Sequence, residues 1–196
     1  SIFLFFIMKT NYNIILGSNS LRRQELLSEL GFQFKVKVSD KEEVYPNKLI
    51  GKEVSEFLAI QKSDNLKENL QKNELLITAD TIVIIDNKIL GKPKSKEESC
   101  EMIQSLSGNK HEVITSVALT TNEKQEVFSV TTKVTFNPLS DNEINFYIEN
   151  YSPFDKAGSY GIQEWIGLIA IHKIEGSYTN VVGLPTSELY NKIRDF

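Results

Sequence analysis

A chain of 196 residues, 40% of them hydrophobic, is long enough for one well-buried domain, and its net charge of −4 excludes the broad basic face that a nucleic-acid polymer requires. The single cysteine, Cys100, excludes an internal disulfide and fits a reducing, cytoplasmic setting. With only two histidines beside it a structural zinc site is not expected, and any metal here is a hard cation on carboxylate oxygens.

The apolar opening SIFLFFIM is too short to span a membrane and lacks the basic start and cleavage site of a signal peptide. Met8 reads as the ordinary start, residues 1–7 as an upstream or non-native extension, and 8–196 as the domain. The run 13-NIILG-17 predicts a first buried strand. Ser18, Asn19 and Ser20 offer N-caps for a helix with Leu26, Leu27 and Leu30 on one stripe, stopped by Gly31. Residues 33–38 alternate like a half-buried strand, and 53–70 read as one long amphipathic helix. A second apolar run, 75-LLITADTIVII-85, turns at Asp86-Asn87. Ser95 with Glu98 predicts a capping box for a helix ending near Gly108. Two strand-like stretches, 111–121 and 125–136, flank a short polar turn, and Ser140 with Glu143 opens another helix. Residues 152–164 read as a Gly-rich loop, 165–174 as an apolar strand, and Pro185 as the start of a terminal helix. No repeat, low-complexity tract or linker divides the chain, so the expectation is a single mixed α/β domain.

Chemistry concentrates in three places. Arg22 and Arg23 are two of only three arginines, against nineteen lysines, and they stand in the first turn of a helix. With free backbone N–H groups and the Ser18 or Ser20 hydroxyls, two planar guanidinium groups can cradle a polyphosphate; the alternative is a Ser-capped helix with two solvated cations. Asp80, set between apolar runs, must be paired or metal-bound, as a metal ligand or general base, or else be satisfied by backbone at a strand end. Nearby, Lys92 in 90-LGKPKS-95 sits where a rigid turn can aim it at a phosphate or simply at water. The third place is 151-YSPFDKAGSYGIQEW-165, with the composition of a ligand-contacting loop or of a well-packed surface loop. His111, His172 and Cys100 read as structural.

Together these segments resemble the Maf family of nucleoside triphosphate pyrophosphatases. The motifs, in family order, are 18-SNSLRR-23, 79-ADT-81, 90-LGKP-93, 106-LSGNKHEVIT-115, 155-DKAGSYGIQ-163 and 183-GLP-185. The resemblance implies an elongated α/β fold around a cleft, commonly a homodimer, with a divalent cation (Mg²⁺ or Mn²⁺) and hydrolysis of a nucleoside triphosphate to monophosphate and pyrophosphate. It assigns Asp80 as proton acceptor and Ser18, Arg22, Arg23 and Lys92 to phosphate. Glu43 and Lys62 fall at its further acidic and basic positions, with Asp80 and Glu43 on the metal and Lys62 on phosphate. Arg22, Thr81 and Gln163 fall at positions of substrate choice, and the branch resembled acts on dTTP and UTP. The same resemblance leaves two alternatives, a 7-methyl-GTP pyrophosphatase, whose branch usually lacks the DKAGxYGIQ loop, and a non-catalytic nucleotide-binding regulator of cell division. Three residues depart from the pattern: Gly17 for Ala, Leu21 for Pro, and Glu164 for Gly. Glu164 puts bulk and charge beside Gln163, from where a carboxylate can accept from an amino group and widen the choice toward CTP.

Overall fold

The computed structural model describes Met8 and residues 10–196, so the extension expected at residues 1–7 lies outside the described residues. The strands are β1 (Asn13–Leu16), β2 (Phe34–Val36), β3 (Glu74–Ile85), β4 (Lys88–Leu90), β5 (Lys110–Thr120), β6 (Gln125–Phe136) and β7 (Ile171–Glu175). The helices are α1 (Leu21–Glu29), α2 (Lys52–Asp64), α3 (Lys96–Leu106), α4 (Asp141–Tyr151), α5 (Trp165–Ala170), α6 (Tyr178–Val182) and α7 (Thr186–Asp195). The fold is mixed α/β: the sheet runs β2-β1-β3-β5-β6-β7, with β4 hairpinned onto β3. β1 is parallel to both β2 and β3, with Ile14 opposite Phe34 and Leu75, whereas β3–β4 and β6–β7 are antiparallel.

The chain divides into two compact units, one made of the chain up to Asp80, Thr115–Val130 and Gly183–Phe196, the other of Thr81–Ile114 and Thr131–Val182. The first unit closes its core with Ile14, Leu16, Leu27, Leu75, Ile77, Val117, Leu119 and Leu189. Its central strands carry near-continuous apolar runs because both faces are covered. α2 lies against β3 and β5 through buried hydroxyls: Thr78 donates to the Ala59 carbonyl at 2.7 Å, and Ser55–Ser116 and Ser63–Thr120 pair at 2.7 Å each. Gly17 now has a reason. A Cβ there would lie 2.6 Å from Thr78 Cγ2 and 3.2 Å from Leu66 Cδ1, so the hydroxyl-anchored threonine leaves no room for alanine.

Several elements differ from the sequence expectation. The helix expected over 53–70 stops at Asp64 and gives way to a separate 3₁₀ turn at Lys67–Asn69, where Asp64 and Asn65 favour turns over helix. Ser95 caps α3 as expected, accepting from Glu98 N–H at 3.2 Å, but Glu98 turns its carboxylate to Lys94 N–H at 2.7 Å, so the box is not reciprocal. At α4 the full Ser140/Glu143 box forms. The strand expected over 165–174 is instead α5 followed by β7. Its buried residues Ile166 and Ala170 stand four apart while Leu168 is exposed, a helical spacing that a short apolar run does not reveal by composition. α6 lies in a stretch for which no element was expected.

The second unit packs Val83, Leu90, Ile103, Leu106, Phe136, Ile144 and Tyr147 around His111 and Tyr160. His111 Nε2 and Tyr160 Oη share a 2.7 Å hydrogen bond, and the two rings stack edge-on with Phe136 at centroid distances of 4.9–5.5 Å. Burial lowers the His111 pKa to about 4, and a second ring proton on Nδ1 would meet no acceptor. The sign follows from linkage. The unfolded chain takes up this proton near pH 6.5 and the folded chain only near 4, so the contribution is complete above 6.5 and disappears as pH falls through 4. The stability difference between wild type and His111→Gln should therefore shrink by about 3 kcal/mol between pH 7.5 and 4 in urea melts. Parallel pH profiles for the two proteins would remove His111 as the group responsible.

Candidate active site

The turn between β1 and α1 is built by Ser18 and Ser20. Ser20 caps the helix by accepting from Arg23 N–H at 3.5 Å, and Ser18 Oγ accepts from Ser20 N–H at 3.2 Å. Ser18 is buried. Arg23 turns inward: its Nε–H donates to the Gly183 carbonyl at 2.8 Å and one terminal nitrogen to Ser18 Oγ at 3.4 Å. Gly183 opens the GLP stretch, to which sequence reasoning assigned no role. Burial lowers the Arg23 pKa from its usual value, with the Asp80 carboxylate opposing, the neighbouring Arg22 cation adding to the drop, and Glu43 opposing. Arg23 thus shares one electrostatic environment with Arg22, Asp80 and Glu43.

Asp80, on β3, is the last residue of the first of the three segments that make up the first unit, and is 8% exposed. Lys62, in the last turn of α2, satisfies it at 2.7 Å, donates also to the Ala79 carbonyl at 3.3 Å, and forms an ion pair with Glu43 at 3.1 Å. One ammonium thereby holds together two carboxylates and a backbone carbonyl. Glu43 comes from the irregular stretch after β2. Its neighbour Val44 is tethered there by Gln61, one residue before Lys62, whose amide donates to the Val44 carbonyl at 2.9 Å. The Glu43 side chain remains 45% exposed while that of Asp80 is 12% exposed, so one carboxylate is fixed and the other is open to solvent.

The donors Asp80, Glu43 and the Ala79 carbonyl are all hard oxygens, a set suited to Mg²⁺, which commonly uses one or two carboxylates plus substrate phosphates. Among the described residues no three acidic, histidine or cysteine side chains cluster as a cage supplied by protein alone.

The remaining expected residues lie in the second unit. Thr81 follows Asp80 along β3 and is half-buried. Lys92 is exposed on the turn after β4. Gly158 N–H donates to the Gly91 carbonyl at 3.1 Å, so the LGKP turn is tied to the loop that carries Gln163. Gln163 is exposed. Glu164, the charge that the sequence sets beside Gln163, has both of its carboxylate oxygens engaged. One of its oxygens takes the Tyr147 hydroxyl and the other takes Lys156 at 3.0 Å. Tyr147 was missed by sequence reasoning because a tyrosine at helical spacing on α4 reads as core.

The Maf-like protein family model matches residues 13–196. Among curated relatives, the dTTP/UTP pyrophosphatase of Flavobacterium johnsoniae is 51% identical over 91% of this chain and 92% of its own length. That of Bacteroides thetaiotaomicron is 48% identical over 93% of this chain and 95% of its own. Among solved structures, the Staphylococcus aureus Ham1 protein aligns over 92% of this chain and 99% of its own, with a TM-score of 0.49 and 17% identity.

Proposed function

Because this chain belongs to the Maf family, we propose that it hydrolyses nucleoside triphosphates, with dTTP and UTP preferred, to the monophosphate and pyrophosphate. The observation that carries the reading is the buried Asp80 carboxylate, held by Lys62 at 2.7 Å and acting electrostatically on the Arg23 guanidinium. Residues 8–196 constitute the catalytic domain in this reading, and a cytoplasmic homodimer is its expected state.

Water attacks the α-phosphorus as the pyrophosphate oxygen leaves. Asp80 orients this water and accepts its proton. Lys62 fixes the orientation of the carboxylate, since the ammonium is itself anchored on Glu43 and the Ala79 carbonyl. Charge accumulates on the leaving phosphates, where Arg22, Arg23, Lys62, Lys92 and the Ser18 hydroxyl stabilise it. Asp80 and Glu43 would hold a divalent cation, Mg²⁺ or Mn²⁺, which would supply further charge neutralisation. No covalent intermediate is needed. Arg22, Thr81 and Gln163 select the base. The Gln163 carboxamide offers one acceptor and two donors, which match the N3–H and O4 edge of thymine or uracil.

The test is a nucleotide panel with Mg²⁺ or Mn²⁺, scored for pyrophosphate against orthophosphate. We expect pyrophosphate as product, highest kcat/KM for dTTP and UTP, and loss of activity on chelation. Orthophosphate release, or a preference for 7-methyl-GTP, would overturn the assignment.

A further inference from the structure

The residues around Gln163 form a turn that is closed twice. Glu164 N–H donates to the Gly161 carbonyl at 3.0 Å, which makes Gly161–Ile162–Gln163–Glu164 a β-turn with Gln163 at its third position. The same two end residues are joined again through one phenol. Gly161 N–H donates to Tyr147 Oη at 3.0 Å, and Tyr147 donates its own proton to the Glu164 carboxylate. The other Glu164 oxygen receives Lys156, which also pairs with Asp155 at 2.8 Å. Glu164 is held a third time through its backbone, its carbonyl accepting from Gly167 N–H at 2.9 Å in α5.

Burial separates the parts of this turn. Tyr147 is fully buried, the Lys156 side chain is 9% exposed, and Ile162 is anchored in the core, whereas Gln163 faces solvent. Space is equally tight: a Cβ at Gly161 would lie 2.9 Å from Glu164 Cδ and 3.0 Å from Lys156 Cε. Burial, with Glu164 adding to it, raises the Tyr147 pKa, so the phenol stays protonated and its polarity is set, donor toward Glu164 and acceptor from Gly161. A largely desolvated carboxylate needs such compensation, and Lys156 provides it.

We propose that Glu164 is a positioning residue for base selection, fixing through Tyr147 and Lys156 the turn that presents Gln163. The inference rests on the reading of Gln163 as a base-contacting residue. A carboxamide can serve the N3–H/O4 edge of uracil or, flipped, the N3/N4 edge of cytosine, so it discriminates only when its direction is held. The clamp beneath the turn fixes the Gln163 backbone, and with it the distance and angle at which the carboxamide meets a base edge, so that the edge it meets is set by the turn while the flip itself is a side-chain rotation.

The experiment compares kcat and KM for dTTP and CTP in wild type, Glu164→Gln, Tyr147→Phe, Gln163→Ala and the Gln163→Ala/Glu164→Gln double variant, with a thermal melt of each. Glu164→Gln and Tyr147→Phe keep side-chain shape, and each is expected to lower the dTTP:CTP ratio of kcat/KM about tenfold, mainly through KM for dTTP. The double variant should match Gln163→Ala. A lowered melting temperature with an unchanged ratio in both isosteric variants, while Gln163→Ala loses the ratio, overturns the proposal and leaves the reading of Gln163 standing. A further tenfold loss in the double variant also overturns it, because Glu164 would then act apart from Gln163. An unchanged ratio in Gln163→Ala removes the reading of Gln163 and the proposal together.

Discussion

Asp80→Asn is expected to lower kcat for triphosphate hydrolysis by about 10²–10⁴-fold, the usual cost of losing a general base. Asparagine has the shape of aspartate and can still accept from Lys62, which stands 2.7 Å from Oδ1 in the native protein. The variant loses the proton-accepting charge and not the packing. Lys62 keeps Glu43 as a carboxylate partner, so stability should fall by about 1 kcal/mol, a shift of about 2–4 °C in melting temperature for a chain of this size. Single-turnover kinetics separate the two effects, because nucleotide binding persists while the chemical step slows. Near-native turnover in Asp80→Asn would reduce Asp80 to the structural partner of Lys62.

Gly167→Ala is expected to be the most damaging single-methyl addition in the second unit. Helix propensity alone favours alanine over glycine by about 1 kcal/mol, so α5 by itself would gain from the change. The tertiary structure reverses that sign. A Cβ at Gly167 would lie 1.7 Å from the Ile162 carbonyl oxygen and 2.7 Å from its carbon, an overlap with backbone that no rotamer change relieves. The Ile162 backbone cannot yield easily, since its side chain is buried and its turn is clamped between Gly161 and Glu164. We expect a loss of about 3 kcal/mol, seen as a fall of about 6–12 °C in melting temperature. A stabilised Gly167→Ala protein would show that the turn and α5 move apart at little cost.

Features set by neighbours along the chain were legible in the sequence. β1, β3, β5 and β6 lie where apolar runs and turn residues put them, and the α4 capping box forms between Ser140 and Glu143, three residues apart. The motif 18-SNSLRR-23 also read correctly as a capped helix start whose arginines do not all face solvent, because the cap and Arg23 share one turn. The α5–β7 segment was not legible, since six apolar residues satisfy a strand and a helix equally and only the burial of Ile166 with Ala170 separates them. Partners distant in sequence were invisible for a related reason. Arg23 meets a carbonyl 160 positions away, and Lys62 meets Asp80 across 18. The Tyr147 hydroxyl finds Glu164 only when α4 and the Gln163 turn pack together. Local free energies depend on residues within a turn or two and can be read from order alone. A buried donor's acceptor is decided by which surfaces meet when the core closes, and that belongs to the tertiary structure.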